Sequence, residues 1–356
     1  MEYLKIKNFA EVVSGSTPKT GVEEYWNGEY PWITPAEIGE KTKYVYDTSR
    51  KVSELGIQSA SLKILRKGTV LLTSRAPIGK VAIAGVDLYC NQGFKNLVCD
   101  EKLVYPMYIY YWLSSKTDYL NGLGRGATFK EISKSIVEEI EVPVPTLETQ
   151  QKIANALDKA QQLIEKRKEQ IEACDELIKS QFIEMFGDIQ SNPYNWDEGT
   201  FGDISKVRQG LQIPISKRKI EPAENCLPYI TIQFLNGGKQ AEYIENPKEN
   251  VICSTDDILM TRTGNTGMVI SNVEGVFHNN FFLIDFNREL LSKTFLIQYL
   301  KSNYIQSDII RRAGTSTIPD LNHGEFYKIK VYLPPIELQN QFAQFVQQVD
   351  KLKFDE

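Results

Sequence analysis

The longest helical pattern in the chain covers residues 146–187 and contains no proline or internal glycine. From Ile153 onward, positions spaced alternately four and three residues apart are mostly apolar, and most positions between them are Lys, Glu, Gln or Asp. Pro145 limits extension of the helix backward, and Gly187 is a suitable stop. The pattern predicts a helix about 60 Å long that packs against another helix. We interpret it as a spacer; a generic coiled coil is the alternative.

A second helical pattern covers residues 334–356 and is about half as long. Its apolar positions have the spacing needed to pack on the first helix. The side chains predicted to pack between the two helices are Ile153, Leu157, Ile164, Ile171, Ile178, Met185, Phe342, Val346 and Val349.

The stretches before the two helices, residues 1–145 and 188–333, carry the same features in the same order. Each contains a strand, a polar or basic turn and a second strand, at residues 68–84 and again at 256–271. An aromatic-rich helix and a strand that runs into prolines follow in both. This order predicts an internal duplication. Strand and helix signals mix in each half, so we predict an α+β (mixed α/β) fold arranged as domain, helix, domain, helix.

Composition excludes several classes of protein. No stretch approaches the roughly 20 apolar residues of a membrane span. The first residues lack the apolar core of a signal peptide. The 5 cysteines are scattered and there are only two histidines, which argues against a disulfide scaffold or a zinc site and predicts a cytoplasmic protein. A net charge of -5 counts mildly against a DNA-binding protein, although a local basic face is compatible with it.

Motifs of catalysis are missing from the sequence. There is no GxxxxGK[ST] phosphate loop and no GxGxxG fingerprint after a first strand. The GNTG at residues 264–267 fits a tight turn between strands. The NPYN at residues 192–195 is similar to the Asn-Pro-Pro-aromatic motif of amino-methyltransferases, but it lacks the second proline and reads as a loop. His278 has no acid at a telling spacing, so we predict a structural histidine. The motifs therefore predict neither a catalytic site nor a metal site.

Polar and basic side chains recur in equivalent loops of the two halves. Arg pairs with guanine, Asn and Gln pair with adenine, and Lys, Ser and Thr suit phosphates, so the recurrence predicts one shared DNA-binding face. In the first half the candidates are Ser16, Thr17, Lys19, Thr20, Ser74, Arg75, Lys80, Asn91, Gln92, Lys95, Arg125, Thr128 and Lys130. In the second half they are Arg208, Gln209, Gln212, Lys217, Arg218, Arg262, Thr263, Asn265, Asn279, Asn280, Arg311, Arg312, Thr315 and Ser316.

With these features in the same order twice, the chain resembles the specificity subunit of a type I restriction-modification system. The resemblance covers nearly the whole chain and includes the entry into each helix, a P-x-P or PP followed by E-x-Q, at residues 143–150 and 334–339. It also includes the helix ending FIEMFGD at Asp188 and the hairpin LLTSRAPIGKVAIA.

The resemblance implies that each half is a target recognition domain for one part of a split double-stranded DNA target. It implies that the two helices pair as an antiparallel coiled coil, set the spacing and dock two methyltransferase subunits. A motor-nuclease subunit would complete the complex. The resemblance also implies that this chain is not itself an enzyme and that the complex carries the adenine methyltransferase and endonuclease activities. No cofactor is expected in this chain; S-adenosylmethionine, ATP and Mg would belong to the partner subunits. The domains would be residues 1–145, 146–187, 188–333 and 334–356.

One departure from the family is the short last helix, which leaves self-association open. Alternative functions are a specificity subunit of a related assembly, a stand-alone sequence-specific DNA-binding protein, an enzyme with its own methyltransferase or nuclease site, and a coiled-coil adaptor that binds no DNA. The bases that the chain would recognise do not follow from the sequence.

Overall fold

A computed structural model of the chain divides into two compact units, residues 1–166 and 167–356, and each is described by itself. The structure describes residues 2–39, 41–126, 130–238, 240–314 and 319–354.

The first unit is built on a five-stranded sheet in the order β2-β9-β6-β7-β4, beside a three-stranded sheet in the order β5-β3-β8 and the pair β1-β10. Its strands are β1 (Glu2–Lys5), β2 (Ala10–Ser14), β3 (Trp26–Ile33), β4 (Tyr44–Val45), β5 (Arg50–Val52), β6 (Val70–Leu72), β7 (Val81–Ala84), β8 (Tyr89–Cys90), β9 (Lys95–Cys99) and β10 (Glu141–Val144). Its shorter helices are α1 (Glu54–Ser59), α2 (Pro106–Ser114), α3 (Thr117–Leu123) and α4 (Lys134–Glu138).

The second unit contains sheets in the orders β12-β19-β16-β17 and β14-β13-β18-β15, and the pair β11-β20. A single helix, α5 (Leu147–Phe186), joins the first unit to the second. The strands of the second unit are β11 (Asp197–Thr200), β12 (Ser205–Gln209), β13 (Cys226–Ile230), β14 (Tyr243–Glu245), β15 (Ile252–Cys253), β16 (Ile258–Thr261), β17 (Val269–Ser271), β18 (Gly275–Phe277), β19 (Phe281–Phe286) and β20 (Lys330–Leu333). Its helices are α6 (Phe201–Ile204), α7 (Ile232–Leu235), α8 (Lys293–Lys301), α9 (Asn303–Ala313), α10 (His323–Tyr327) and α11 (Ile336–Phe354).

The duplication predicted from the sequence is present in the topology. The order β2-β9-β6-β7 of the first unit recurs as β12-β19-β16-β17 in the second. In the smaller sheets β3 runs antiparallel to β5 and parallel to β8, and β13 runs antiparallel to β14 and parallel to β18. The mixed α and β fold is therefore as predicted, and it is built twice.

The larger sheet of the first unit is covered on both faces. Val70 and Leu72 of β6 belong to a core that includes Ile109 of α2, whereas Leu71 between them belongs to a second core on the opposite face. This alternation is the two-residue period of a strand. In the second unit the central strand β16 divides its side chains between two cores in the same way.

The first and last strands of the first unit form one antiparallel pair. Glu2 of β1 pairs with Val144 of β10. Hydrogen bonds from Lys5 and Lys7 lower the pKa of Glu139, just before β10, to about 2. The second unit closes similarly, by pairing of β11 with β20.

A buried glutamine explains the E-x-Q motif at the start of α5. The side chain of Gln150 is fully buried and bonds to three backbone groups. Its Oε1 accepts from the Tyr105 N–H at 2.8 Å, and its Nε2 donates to the carbonyls of Leu103 at 3.1 Å and Pro145 at 2.8 Å. The residue therefore ties the first turn of α5 to the loop before α2.

The second copy of the motif has the same role at the start of α11. Gln339 accepts from the Ser292 N–H at 2.8 Å and donates to the carbonyls of Leu290 at 2.9 Å and Pro334 at 2.7 Å. It too is fully buried. The glutamine of each E-x-Q motif thus joins the start of a helix to its domain by hydrogen bonds.

The helix α5 covers 40 residues without a break, close to the bounds predicted from the apolar pattern. Phe342 of α11 packs against Phe182 and Phe186 of α5, with both ring centroids 5.5 Å away. At the other end of α11, the Lys353 ammonium lies 2.7 Å from the Asp175 carboxylate. Within the second unit the two helices therefore run antiparallel. In the described part of the chain, no helix is long and apolar enough to cross a membrane.

The predicted helix–helix packing holds for only part of the apolar stripe. Ile178, Phe342, Val346 and Val349 lie in one buried core, and Met185 packs against it. Ile153 instead packs against the core of the first unit.

The prediction was wrong for three side chains of the stripe, which are exposed to solvent: Leu157 (42%), Ile164 (51%) and Ile171 (36%). For Leu157 and Ile164 the reason is the length of α11. Arg167 of α5 donates to the carbonyls of Leu352 and Lys353 in the last turns of α11. Side chains N-terminal to that point therefore have no partner on α11.

Candidate nucleic-acid interface

Two of the predicted DNA-binding loops of the first unit are joined by hydrogen bonds. The Ser16 N–H donates to the Cys90 carbonyl at 3.1 Å. The Thr17 hydroxyl donates to the side-chain oxygen of Gln92. Polar groups separated by more than 70 positions in sequence thus lie side by side.

The third and fourth loops join the same cluster through Ser74. Its N–H donates to the Gly93 carbonyl at 2.8 Å, and its carbonyl accepts from the Ile132 N–H at 3.0 Å. The Lys95 ammonium lies 3.0 Å from the Glu131 carboxylate and 3.4 Å from the Ser74 hydroxyl. The structure therefore brings together all four predicted loops of this half.

The second unit repeats these backbone hydrogen bonds between loops, and we call the bonded set of loops in each unit its loop frame. The Leu211 N–H donates to the Phe277 carbonyl at 3.1 Å, and the Arg262 N–H donates to the Asn280 carbonyl at 2.7 Å. The Arg262 carbonyl accepts from the Leu321 N–H at 2.9 Å. Each of these backbone bonds has its counterpart in the first unit, so the loops of both units are held in the same way.

A glycine at the same place in each frame permits the close approach of the loops. A Cβ on Gly15 would lie 2.0 Å from the Asn91 carbonyl oxygen, and a Cβ on Gly210 would lie 2.3 Å from that of His278. Neither distance is possible for real atoms, so a side chain at either position would push the two loops apart.

The turns between the paired strands β6–β7 and β16–β17 are also equivalent. The Thr73 hydroxyl donates to the Pro77 carbonyl at 2.7 Å and accepts from the Lys80 N–H at 2.9 Å. The Thr261 hydroxyl makes the matching bonds inside the GNTG turn. The turn function predicted for that motif is therefore confirmed. His278, beside these turns, accepts a hydrogen bond at Nδ1 from the Asn280 N–H at 3.1 Å, as expected for a structural histidine.

The predicted DNA-binding residues differ widely in exposure. The exposed ones are Lys19, Thr20, Gln92, Arg125, Lys130, Gln209, Gln212, Lys217, Asn265 and Arg311. The partly buried ones are Ser16, Thr17, Arg75, Lys80, Asn91, Arg208, Arg218, Arg262, Thr263, Asn279, Asn280 and Arg312. Ser74 and Lys95 are buried. Thr128, Thr315 and Ser316 lie outside the described residues.

Burial changes the expected role of Ser74 and Lys95. Direct contact with DNA was predicted for both, but neither side chain reaches the surface. A buried ammonium is tolerated only when it is paired, and Glu131 supplies the charge. We therefore expect these two residues to hold the loops in place and not to contact DNA.

Several of the candidate arginines already have acidic partners. Arg262 makes a two-pronged ion pair with Asp320, at 2.9 and 2.8 Å. Arg312 donates to Asp308 at 2.7 Å, and its Nη1 lies 3.4 Å from Glu325. Although burial alone would raise it, hydrogen bonds from Arg312 and its neighbour lower the pKa of Asp308. These guanidinium groups are thus partly neutralised.

The sequence-based selection missed the acids of this frame. Glu131 and Asp320 occupy equivalent positions after the last loop of each half, and each holds a basic side chain. Their matching places in the duplication were the signal that could have identified them. Among the residues the structure describes, no cluster of three or more His, Cys, Asp or Glu side chains is arranged to hold a metal ion.

The comparison with protein families decides the identity of this twofold frame. The model described as "Type I restriction modification DNA specificity domain" matches residues 1–173 and again residues 193–355. The chain belongs to the type I restriction-modification specificity subunits. The two matched ranges each include one unit's loop frame, so the units can be called target recognition domains.

Individual relatives agree with this assignment. The chain is 31% identical to the type I restriction enzyme MjaIX specificity subunit of Methanocaldococcus jannaschii, over 96% of this chain and 85% of the relative. It is 22% identical to the EcoprrI specificity subunit of Escherichia coli, over 99% of this chain and 88% of the relative.

Solved structures support the same fold. The S subunit of a type I restriction-modification system from M. genitalium is 20% identical, with a TM-score of 0.62 over 99% of this chain and 90% of that chain. A chain from a structure on assembly of the type I R-M system is 17% identical, with a TM-score of 0.55 over 99% of this chain and 91% of that chain.

Proposed function

We propose that this specificity subunit reads a bipartite double-stranded DNA target, one half with each target recognition domain. The observation that supports the proposal is the loop frame, which occurs twice with the same backbone bonds but with different side chains at its surface. Backbone frames position a protein on DNA, and side chains at base edges carry the sequence information. Two equal frames with unlike side chains therefore suit two half-sites of unlike sequence.

The helices α5 and α11 would set the spacing between the half-sites and dock two methyltransferase subunits. Linking two modest binding units on one stiff element raises the effective concentration of the second unit once the first has bound. Affinity and discrimination both increase as a result.

The chemistry of the complex would belong to its other subunits. The methyltransferase subunits would bind S-adenosylmethionine and methylate adenine, and a motor-nuclease subunit would use ATP and Mg to cut unmodified DNA. This chain would contribute no catalytic residue. The DNA of the host lies in the cytoplasm, and we expect the complex to act there.

Sequencing of methylated bases in host DNA, with and without the gene for this chain, tests the proposal. We expect a split motif of methylated adenines with a fixed gap to disappear on deletion. Unchanged methylation in the deletion strain would refute the proposal for this chain.

Exchange of the two domains provides a sharper form of the same experiment. Replacing residues 1–145 with the matching part of a relative of different specificity should change one half of the methylated motif. Replacing residues 190–333 should change the other half and leave the first intact. Loss of both halves in either hybrid would contradict independent reading.

Purification separates the remaining alternatives. A specificity subunit should co-purify with a methyltransferase subunit, whereas a stand-alone DNA-binding protein should not. An adaptor without DNA affinity would show no binding that weakens as salt rises, as phosphate contacts require.

A further inference from the structure

Arg50, the first residue of β5, stacks on a pair of buried tryptophans in the first domain. Its guanidinium carbon lies 3.7 Å from the centroid of Trp26 and 5.5 Å from that of Trp32. The two indole rings pack edge to face with centroids 4.9 Å apart. The flat guanidinium group is therefore fixed by stacking, an interaction that lysine cannot reproduce.

The same two tryptophans hold a predicted DNA-binding loop. The Trp32 indole N–H donates to the Ser16 carbonyl at 3.2 Å, and the Trp26 indole N–H donates to the Lys19 carbonyl at 3.3 Å. Arg50 and this loop thus share one rigid support, so the guanidinium group has a fixed position relative to the loop.

Within the described ranges, no carboxylate or other acceptor is paired with the Arg50 guanidinium. This distinguishes it from Arg66, which lies 2.5 Å from the Asp87 carboxylate, and from Arg262, which is bound to Asp320. Stacking occupies the face of the group and leaves its N–H edge available to an acceptor.

The surroundings of Arg50 define the class of ligand. It lines a cavity of about 500 Å³ with Thr20, Ser49, Lys51 and Glu23. The Thr20 hydroxyl beside a guanidinium suits phosphate oxygens, whereas the Ser49 hydroxyl already donates to the Glu37 carboxylate at 2.9 Å. The Glu23 carboxylate disfavours a doubly charged phosphate monoester, so a singly charged phosphodiester fits better. DNA supplies such groups next to any loop that approaches its bases.

The second domain has a related arrangement in which the arginine is already occupied. Arg218 stacks over Tyr229 at 4.9 Å, and the Tyr229 hydroxyl donates to a carbonyl of the adjacent loop. Arg218, however, donates to the Ile213 carbonyl at 2.9 Å and lies 3.0 Å from the Glu242 carboxylate. It supports its loop and has little remaining capacity for a phosphate.

We propose that Arg50, with Thr20, binds a backbone phosphate of the DNA half-site read by the first domain. The inference rests on the proposed function and adds an asymmetry to it. The first domain has an anchor that depends on charge but not on sequence, and the second domain has none at Arg218.

The test measures binding of the complex with its methyltransferase subunits to a duplex that carries its methylation motif and to a scrambled duplex, over a series of salt concentrations. For Arg50→Gln we expect the slope of log affinity against log salt to become shallower by about 0.9, the value for one phosphate. Affinity at ~0.1 M salt should fall about tenfold on both duplexes alike, because a charge-assisted hydrogen bond is lost. The ratio of specific to scrambled binding should stay the same.

Two further variants keep the result interpretable. Arg50→Lys preserves the charge and should retain the slope while losing part of the affinity. Arg66→Gln removes an exposed arginine that is already paired with Asp87, so it should change neither quantity. Thermal melting of each variant checks that the domain is folded.

Three outcomes would overturn the inference. The first is an unchanged salt slope for Arg50→Gln while the unaltered complex binds DNA in a salt-dependent manner; the proposed function would then survive. The second is a loss confined to the specific duplex, which would make Arg50 a reader of bases. The third is stabilisation of the unaltered chain, but not of Arg50→Gln, by inorganic phosphate with no change in the DNA slope, which would indicate a site for a free anion. If the unaltered complex binds no DNA, both proposals fail together.

Discussion

At the scale of single residues, the buried glutamines at the start of α5 and α11 hold each helix to its domain through hydrogen bonds to backbone groups. Gln150→Ala would leave the Tyr105 N–H and the carbonyls of Leu103 and Pro145 without their partner in a partly buried joint. Because each unsatisfied buried group costs roughly 1–3 kcal/mol, we expect the free energy of unfolding to fall by about 3 kcal/mol. Urea unfolding followed by tryptophan fluorescence would measure the loss.

The control lies on the exposed side of the same helix. Gln161 bonds only to the Glu165 side chain, at 2.9 Å in solvent, so Gln161→Ala should change stability by no more than about 0.5 kcal/mol. Equal effects of the two substitutions would show that the buried joint contributes little.

The cysteines give a second prediction at this scale. Burial raises the pKa of Cys90 and Cys99 to about 12 and that of Cys253 to about 11. At neutral to mildly alkaline pH these thiols should carry almost no thiolate, the form that reacts with alkylating agents. We expect iodoacetamide to modify the partly exposed Cys226 first, as read by mass spectrometry of the native chain.

The raised pKa values of these thiols also predict the direction in which stability changes with pH. A thiol held protonated in the folded state stabilises it fully below the unfolded pKa of roughly 8.5, and that contribution is lost as the pH rises toward the folded pKa. Rapid alkylation of Cys90 in the native chain at pH 8 would contradict its burial.

The residue types at the interface could be predicted from the sequence, but their pairing could not. Lys95 was selected for its charge, yet its carboxylate partner Glu131 lies 36 positions away. For Arg262 the partner Asp320 lies 58 positions away. Only the folded chain places such groups in contact. The composition of a loop therefore predicts which chemical groups the loop carries, but not which of its charges are left unpaired.

At the scale of elements, the packing of α11 on α5 depends on aromatic contacts. Phe342 is fully buried against Phe182 and Phe186. Phe342→Ala should lower the free energy of unfolding of the second domain by about 3–5 kcal/mol, as is typical for a large cavity. Urea unfolding or hydrogen exchange over α11 would detect the change.

Leu352, on the same helix, is a matched control because its side chain is 60% exposed. Leu352→Ala should cost less than about 0.5 kcal/mol. Similar losses for the two substitutions would mean that α11 is not held by its buried face.

The pattern of the sequence predicted α5 well because a helix is local: the absence of proline and glycine and the apolar period fix its extent within a residue at each end. It did not predict where its stripe would be covered. Leu157 and Ile164 have the same spacing as Ile178, but only the last of these faces α11. Spacing identifies an apolar face, whereas the length of the partner decides which part of it is buried.

Strand pairing was the structural feature that the sequence predicted least well. The pairing of β1 with β10 joins residues at the two ends of a domain, and no local pattern specifies it. The duplication nevertheless allowed each half to be checked against the other, and for that reason the order of elements was predicted correctly for both.

At the scale of the whole molecule, the proposed spacing function of α5 predicts a change in the target. Insertion of seven residues after Gln161, where the side chains are exposed, adds ~10 Å of helix. We expect the gap of the methylated motif to lengthen by about three base pairs at ~3.4 Å each, with both half-sites unchanged. Methylation sequencing of the host DNA would show it.

The double substitution Gln161→Ala and Gln162→Ala at the same place keeps the length of the helix and should leave the gap as it was. A seven-residue insertion that gives an active complex with the original gap would contradict the function of α5 as a spacer.

The exposed apolar side chains on α5 have a consequence for the abundance of the protein in the cell. Leu163 is 67% exposed and Ile164 beside it 51% exposed, so the isolated chain presents apolar side chains to water on a regular helix. Chaperones and proteases recognise such surfaces, and small differences in stability change protein abundance several-fold. Chains made in excess of whatever covers this surface would be degraded first. Degradation would then match the amount of this subunit to the amount that is assembled.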